Sequence, residues 1–440
     1  MTAEYGPQAL TNDPRATLAQ ARMGRLQMLA VVMCFLLTAL DGFDVLSISF
    51  AAPGIAAEWG IDRAALGIVL SMELFGMAAG SIVIGMLADR EGRRPAILIC
   101  LVLMSVGMYL ASTADGVVIL SIYRFGTGLG LGGMLATTAA MAAEFSSLKR
   151  RSVAVILMAA GFPVGAIVGG SIASMILVSF DWRAVFLFGA AVSVTFIPLA
   201  WQLLPESIGY LLERRPAGAL ERINATLRRM GHQPIATLPE TRVETLPPGI
   251  KALFSPALAR TTILLTMAYL LHIMTFYFTL KWIPKLVVDM GFAPSLAGGV
   301  LVWANVGGLI GSVTLGLLST RYSIKWLVIG ALMLGAVMVT LFGQEQAGLA
   351  QLSLVAAAAG FFTNSGVVGL YALFAQRFPT EVRAGGTGFV IGVGRGGSAA
   401  GPIVAGMLFV AGIDLPAVAL YMALGSVGAA LMVSLLRPSQ

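Results

Sequence analysis

Asp41 and Asp44 stand three residues apart in the segment Leu40-Asp41-Gly42-Phe43-Asp44, inside a long apolar run. That spacing places both carboxyls on one face of a helix. A charged carboxylate inside a bilayer costs about 2.5–3.5 kcal/mol on insertion scales, so a pair of them signals work rather than packing. Carboxyls that share a poorly hydrated cavity can load and release a proton, and the titration then belongs to the pair. The bland alternative is that they only hydrate a cavity. Glu73, in the second apolar run, reads either as another protonatable group or as the counter-ion of an arginine. Three cations also fall inside apolar runs: Arg124, Lys281 and Arg395. A guanidinium does not titrate usefully but grips a carboxylate with two parallel hydrogen bonds. Arg124 and Arg395 are therefore candidate binders of an anionic substrate, with internal pairing to Asp41, Asp44 or Glu73 as the structural alternative. Arg395 falls about ten residues, or roughly 15 Å, into its run, near the midplane. Lys281, beside Trp282, is expected to reach out to the nearer interface. His272, Tyr277, Asn305, Asn364 and Tyr371 are further polar or aromatic groups for a pocket, and Tyr269 and Phe276 add ring faces beside them.

The elements that must position these residues follow from composition. The chain has 440 residues, 58% apolar and 11% charged, with a mean hydropathy of +0.89. Soluble domains run about 45–50% apolar and about 25% charged, so these figures describe a polytopic membrane protein. A spanning helix needs about 20 apolar residues. Twelve such runs are predicted, at 28–52, 66–88, 95–114, 117–141, 153–179, 184–204, 262–288, 296–319, 326–343, 350–374, 385–410 and 416–436. This divides the chain into a tail (1–27), a six-helix bundle (28–204), a long central loop (205–261), a second bundle (262–436) and a short tail (437–440). The polar start, with Arg15, Arg22 and Arg25, leaves no cleavable signal peptide before the first run.

Of the 28 Lys and Arg residues, 22 fall on the side of the termini and the central loop, 3 on the opposite side and 3 within runs. By the positive-inside rule, both termini and the central loop are expected to face the cytoplasm. The net charge of +7 follows this membrane logic and does not point to nucleic acid. Cys34 and Cys100 lie in apolar runs, and His232 and His272 are far apart, so neither a metal site nor a nucleophilic enzyme is expected. Gly128-x-Gly130-x-x-Gly133 matches a dinucleotide fingerprint only in spacing, since it sits inside an apolar helix with no preceding strand.

An internal repeat is also visible. Gly85-Met86-Leu87-Ala88-Asp89-Arg90-Glu91-Gly92-Arg93-Arg94 follows the second run, and Gly316-Leu317-Leu318-Ser319-Thr320-Arg321-Tyr322-Ser323-Ile324-Lys325 follows the eighth, at an offset of 231. Two related halves with a site between them is a recurrent transporter construction. The Gly85–Arg94 segment resembles the loop signature of the major facilitator superfamily. Within that superfamily the chain resembles the aromatic acid:proton symporters, through the Asp41-Gly42-Phe43-Asp44 pattern, Tyr123-Arg124-Phe125 leading into the Gly126–Gly133 stretch, Leu204-Pro205-Glu206-Ser207, Phe378-Pro379-Thr380-Glu381-Val382-Arg383 and Gly394-Arg395-Gly396-Gly397. It departs from them at Glu73 and Lys281, where neutral residues are expected, and at Thr320, which stands where the first-half loop has Asp89.

The resemblance implies an all-α membrane protein of twelve transmembrane helices in two pseudo-symmetric six-helix bundles. It implies import of an aromatic carboxylate of the benzoate or hydroxybenzoate class, by proton symport and alternating access. From the residues themselves, Asp41, Asp44 and Glu73 are the candidates to couple the proton. Arg124, Arg395, His272, Tyr277, Asn305, Asn364 and Tyr371 would line the substrate site. Gly85, Asp89, Arg90, Arg93, Arg94, Glu144 and Arg150 would form a conformational latch. The implied partners are the aromatic acid, a proton and the lipid bilayer; no cofactor or nucleic acid is expected, the unit is a monomer, and the location is a bacterial inner membrane. The alternative in the same fold is a proton-coupled drug or organic-anion antiporter. Its usual fifth-helix signature is only partly present, because Ala166 replaces the proline in Gly161-Phe162-Pro163-Val164-Gly165-Ala166-Ile167-Val168-Gly169-Gly170.

Overall fold

The computed structural model describes residues 13–21, 23–239, 250–379 and 382–436. Residues 437–440, and Thr380 and Glu381 of the tenth-helix motif, lie outside the described residues. Among the described residues there is no strand, and twelve helices are long and apolar enough to cross a membrane. In chain order these spans are Arg25–Trp59, Arg63–Glu91, Arg93–Ser112, Val117–Glu144, Arg151–Ser179, Trp182–Leu203, Ala259–Asp289, Pro294–Leu318, Ile324–Phe342, Leu349–Arg377, Arg383–Val410 and Leu415–Ser434. Each overlaps one apolar run read from the sequence, and several extend beyond it by a turn or more. The extensions are polar or charged, as at Glu58 and Arg90, because helical hydrogen bonding continues past the apolar stretch until a cap stops it. Asp62, Asp181 and Asp414 supply N-caps, and Gly60 ends the first span in the left-handed region.

Sequence patterning left three short helices unassigned: Pro14–Gln20, Ile208–Arg214 and Ala219–Met230. The last is amphipathic, burying Ile223, Leu227 and Met230 at helical spacing while Arg222, Arg228 and Arg229 face outward.

The helix packing repeats between halves. In the first half the second span packs on the fourth, the first on the fifth, and the third on the sixth. The eighth packs on the tenth, the seventh on the eleventh, and the ninth on the twelfth in the same way. This is the architecture of two pseudo-symmetric six-helix bundles. The outward faces carry exposed apolar side chains such as Ile82, Val118, Ile122, Val178 and Leu354, as a lipid-facing surface requires.

The bundles meet through the second and eleventh, fifth and eighth, and first and seventh spans. Several of these contacts lie toward the end away from the termini. Arg63 pairs with Asp289 at 2.9 Å and stacks 4.6 Å from the Phe409 ring centre, and Gly67 and Gly406 bring the second and eleventh spans into backbone contact at Pro402 and Arg63. Further along the same helices, Gly85, Gly388 and Gly392 border open space. The two bundles are therefore sealed together at one end.

Candidate functional site

Four charged side chains from four spans converge where the bundles meet. Glu73 Oε2 lies 2.5 Å from Arg124 Nη2 and 3.3 Å from Lys281 Nζ, so one carboxylate oxygen serves two cations. Arg124 Nη1 stands 3.6 Å from Asp44 Oδ1, and its Nη2 donates to the Asp44 carbonyl at 3.0 Å. Lys281 Nζ also donates to the Val45 carbonyl. The same stretch of the first span is thus held by Arg124 from its own half and by Lys281 from the other. All four side chains are fully buried. Ions removed from water need this degree of pairing, because an unmatched charge there is strongly unfavourable. Phe186 lies beneath the Arg124 guanidinium at 5.4 Å, and Met108 Sδ accepts from its Nη1 at 3.0 Å.

Asp41 sits one turn along the first span from Asp44, on the same face, as its spacing implies. Gly42, between the two carboxyls, lets the first span touch the fifth at the Phe162 backbone, where a Cβ would collide. Asp41 is 3% exposed, and neither of its carboxyl oxygens has a hydrogen-bond partner among the described residues. The Asp44 oxygens also lack hydrogen bonds but have Arg124 at 3.6 Å, whereas Asp41 has no ion pair among the described residues and is the carboxyl left over.

The remaining interior cation has the opposite imbalance. Arg395 is half-buried and donates from Nη1 to the Met77 carbonyl at 2.7 Å, across the two halves. Among the described residues it has no carboxylate partner. Around it stand Tyr269, Tyr277 and Tyr371, all close enough to feel its charge. The Tyr269 and Tyr371 hydroxyls are 3.0 Å apart, and Tyr371 is 40% exposed while Tyr269 is buried. Gly394 makes this packing possible, since a side chain there would strike the Tyr269 ring. Arg124, Lys281 and Glu73 lie on the order of 10–15 Å along their helices from the sealed end, and Arg395 about 22 Å. The charges thus form a sealed layer of four and a more open layer built on Arg395.

Three residues read from the sequence as pocket-lining, His272, Asn305 and Asn364, are hydrogen-bonded within their own half. His272 is fully buried, with Nδ1 2.8 Å from Ser426 Oγ and Nε2 2.8 Å from the Thr363 carbonyl, so both ring nitrogens are occupied by the twelfth and tenth spans. Asn364 donates to the Gly308 carbonyl at 2.9 Å and to Ser312 Oγ at 2.7 Å, joining the tenth and eighth spans. Asn305 donates back to Leu301 of its own helix at 2.9 Å. Within apolar spans such groups need local partners, and these three find theirs within their own half. Lys281 requires a correction too: it is fully buried rather than drawn out to the interface, because Glu73 and the Val45 carbonyl meet it inside.

The loop after the second span forms a compact polar knot. Arg93 pairs with Asp89 at 2.5 Å and approaches Glu144 at 3.7 Å. Glu206 Oε1 accepts from the backbone N–H groups of Arg93 and Ser207 at 2.8 Å each, and the Ser207 hydroxyl donates to Glu144. Gly92 turns with φ +111°, packed on the Glu206 carboxyl. Arg94 donates to the Trp201 carbonyl and lies 4.8 Å above its ring, while the Arg90 carbonyl accepts from the Tyr210 hydroxyl at 3.1 Å. Arg90 and Arg150 are exposed and form no ion pair among the described residues. Glu206 organises this knot without having been singled out as a site residue; its place in the Leu204-Pro205-Glu206-Ser207 motif was the available signal.

Known proteins place this arrangement. The sequence profile of the Major Facilitator Superfamily matches residues 34–306 and 265–440. The chain is 30% identical over 411 residues to the gallate transporter of Pseudomonas putida, covering 92% of this chain and 91% of that protein. It is 28% identical over 412 residues to the 4-hydroxybenzoate transporter PcaK of Acinetobacter baylyi, covering 92% and 90%. The xylose transporter XylE of E. coli, in a partially occluded inward-open conformation, shares the fold with a TM-score of 0.73 at 18% identity, covering 94% of this chain and 98% of that one. With twelve spans, repeated six-helix packing and a family profile that runs from the first span to the chain's end, this multi-pass membrane protein belongs to the Major Facilitator Superfamily.

Proposed function

We propose that the chain imports a small aromatic carboxylate across a bacterial inner membrane, together with a proton, by alternating access. The observation that carries this reading is the pair of unmatched groups inside the spans. Arg395 is a cation without a carboxylate, beside three tyrosines, and Asp41 is a carboxyl without a cation. An anionic acid answers the first and a proton answers the second. A guanidinium holds a carboxylate at two points, and the tyrosine rings offer apolar faces for an aromatic body. The gallate and 4-hydroxybenzoate transporters among the relatives support this substrate class.

Both termini and the central loop face the cytoplasm on this reading, from the 22-to-3 distribution of cations. The sealed end is then the outside, and the conformation is inward-facing. Boundaries at 28–204 and 262–436 define the two rocking bundles, and the latch residues Asp89, Arg93 and Glu144 pair with one another within the N-terminal bundle in this state. The carrier works as a monomer.

Uptake of radiolabelled gallate, 4-hydroxybenzoate and benzoate by cells expressing the chain tests the substrate class. Asp41→Asn tests the coupling. This change keeps the shape of the side chain and removes its proton, so uphill accumulation is expected to be lost while exchange of internal for external acid persists. Full accumulation by Asp41→Asn, still sensitive to an uncoupler, would place the coupling proton elsewhere.

A further inference from the structure

Lys281 and its partners stand on opposite sides of the moving interface. The lysine belongs to the seventh span, whereas Glu73 and the Val45 carbonyl belong to the second and first. Opening the sealed end parts the seventh span from the first two at the level of this contact. Lysine 281 then leaves a carboxylate at 3.3 Å and a backbone carbonyl, while Glu73 keeps Arg124 at 2.5 Å. The N-terminal half keeps Arg124 against Glu73 and Asp44, and the C-terminal half is left with a buried ammonium that has lost both of its partners. Such a charge needs a new anion.

We propose that Lys281 is a second carboxylate-binding residue, which takes the substrate's carboxylate when the sealed end is open and is occupied by Glu73 when it is shut. Glu73 is thus an internal competitor for the site. The acid is held at Lys281 on one side, displaced by Glu73 as the bundles close, and passed toward Arg395 in the deeper layer, where no internal carboxylate competes. This gives the carrier a different affinity on its two faces with no change in the residues of the inner site. The inference rests on the carboxylate reading above and adds the lysine to it. The charged groups facing Lys281 from the packed elements are Glu73, Arg124 and Asp44, and one to two turns away the half-buried Lys285 pairs with Asp289, which also holds Arg63.

The test measures half-saturation for benzoate and for neutral benzamide at each face, in right-side-out and inside-out vesicles. Lys281→Gln is expected to weaken benzoate about 10–100-fold at the outer face, as loss of a charge-assisted contact does. Loss of the Glu73 pair can shift benzoate and benzamide together at either face, so the readout is the ratio of the two: the preference for benzoate should fall about 10–100-fold at the outer face and change by no more than about twofold at the inner face. The inner-face value also reports that the variant is folded, and Lys281→Arg should restore most of the outer-face affinity. Equal loss of the benzoate preference at both faces, or no loss of it at the outer face, overturns the assignment. If the wild-type chain does not prefer benzoate over benzamide at either face, the failure lies in the carboxylate reading itself.

Discussion

Arg124→Ala is expected to abolish transport and to remove most of the folded protein. Arg124 neutralises Glu73 at 2.5 Å and Asp44 at 3.6 Å in a fully buried setting. Deleting it leaves three interior carboxyls, Asp41, Asp44 and Glu73, of which Glu73 alone keeps a cation, Lys281. Breaking a buried ion pair by removing one partner costs about 3–5 kcal/mol, a large share of the stability of a typical domain. Thermal melting of detergent-purified protein, followed by size-exclusion chromatography, checks this. Arg124→Lys is expected to recover part of the loss, because an ammonium can reach Glu73 but cannot also bond the Asp44 carbonyl and Met108. The double variant Arg124→Gln with Asp44→Asn should melt higher than Arg124→Gln alone, since Glu73 keeps Lys281 whereas Asp44 loses its cation and is removed as a charge together with it.

The second large effect concerns Arg395. Arg395→Ala is expected to weaken binding of 4-hydroxybenzoate about 10–100-fold, and to erase the preference for the acid over its amide. Stability should change little by comparison, because the residue is half-buried and its described polar contact is a single bond to the Met77 carbonyl. Arg395→Lys keeps the charge and loses the two-pronged geometry, so an intermediate loss is expected. Equilibrium binding to purified protein separates these outcomes. An Arg395→Ala protein that still prefers the acid would move the carboxylate to another cation.

The fold was legible because its signals are local. Apolar run length, the alternation of Lys and Arg, and the repeated loop at Gly85 and Gly316 each read out from a few dozen residues. The face shared by Asp41 and Asp44 was legible for the same reason, since i, i+3 spacing fixes it within one helix. The Glu73–Lys281 pair was not legible, because its members are 208 residues apart and meet only where two bundles dock. Lys281 taken alone is a cation in the outer part of a span, a pattern that also describes a side chain reaching the interface. His272, Asn305 and Asn364 show the other limit. A polar residue in an apolar span advertises a partner, but sequence does not say whether the partner is a substrate or the next helix. The short helices at Ile208–Arg214 and Ala219–Met230 carried usable signals, a Ser207 cap and a left-handed Gly231, which the charge of the central loop obscured.

On the proposed reading, Arg395 takes up an anionic aromatic acid and Asp41 a proton, and the two move in the same direction. Purified protein in sealed liposomes, given an alkaline interior and 4-hydroxybenzoate, gallate or benzoate outside, tests this most directly. Inhibitor-free vesicles should accumulate at least one acid above its equilibrium distribution, lose the gradient when an uncoupler is added, and do neither when the chain carries Asp41→Asn. Equilibration without accumulation, or extrusion of preloaded acid driven by inward proton flow, would contradict symport and return the chain to the antiporter reading.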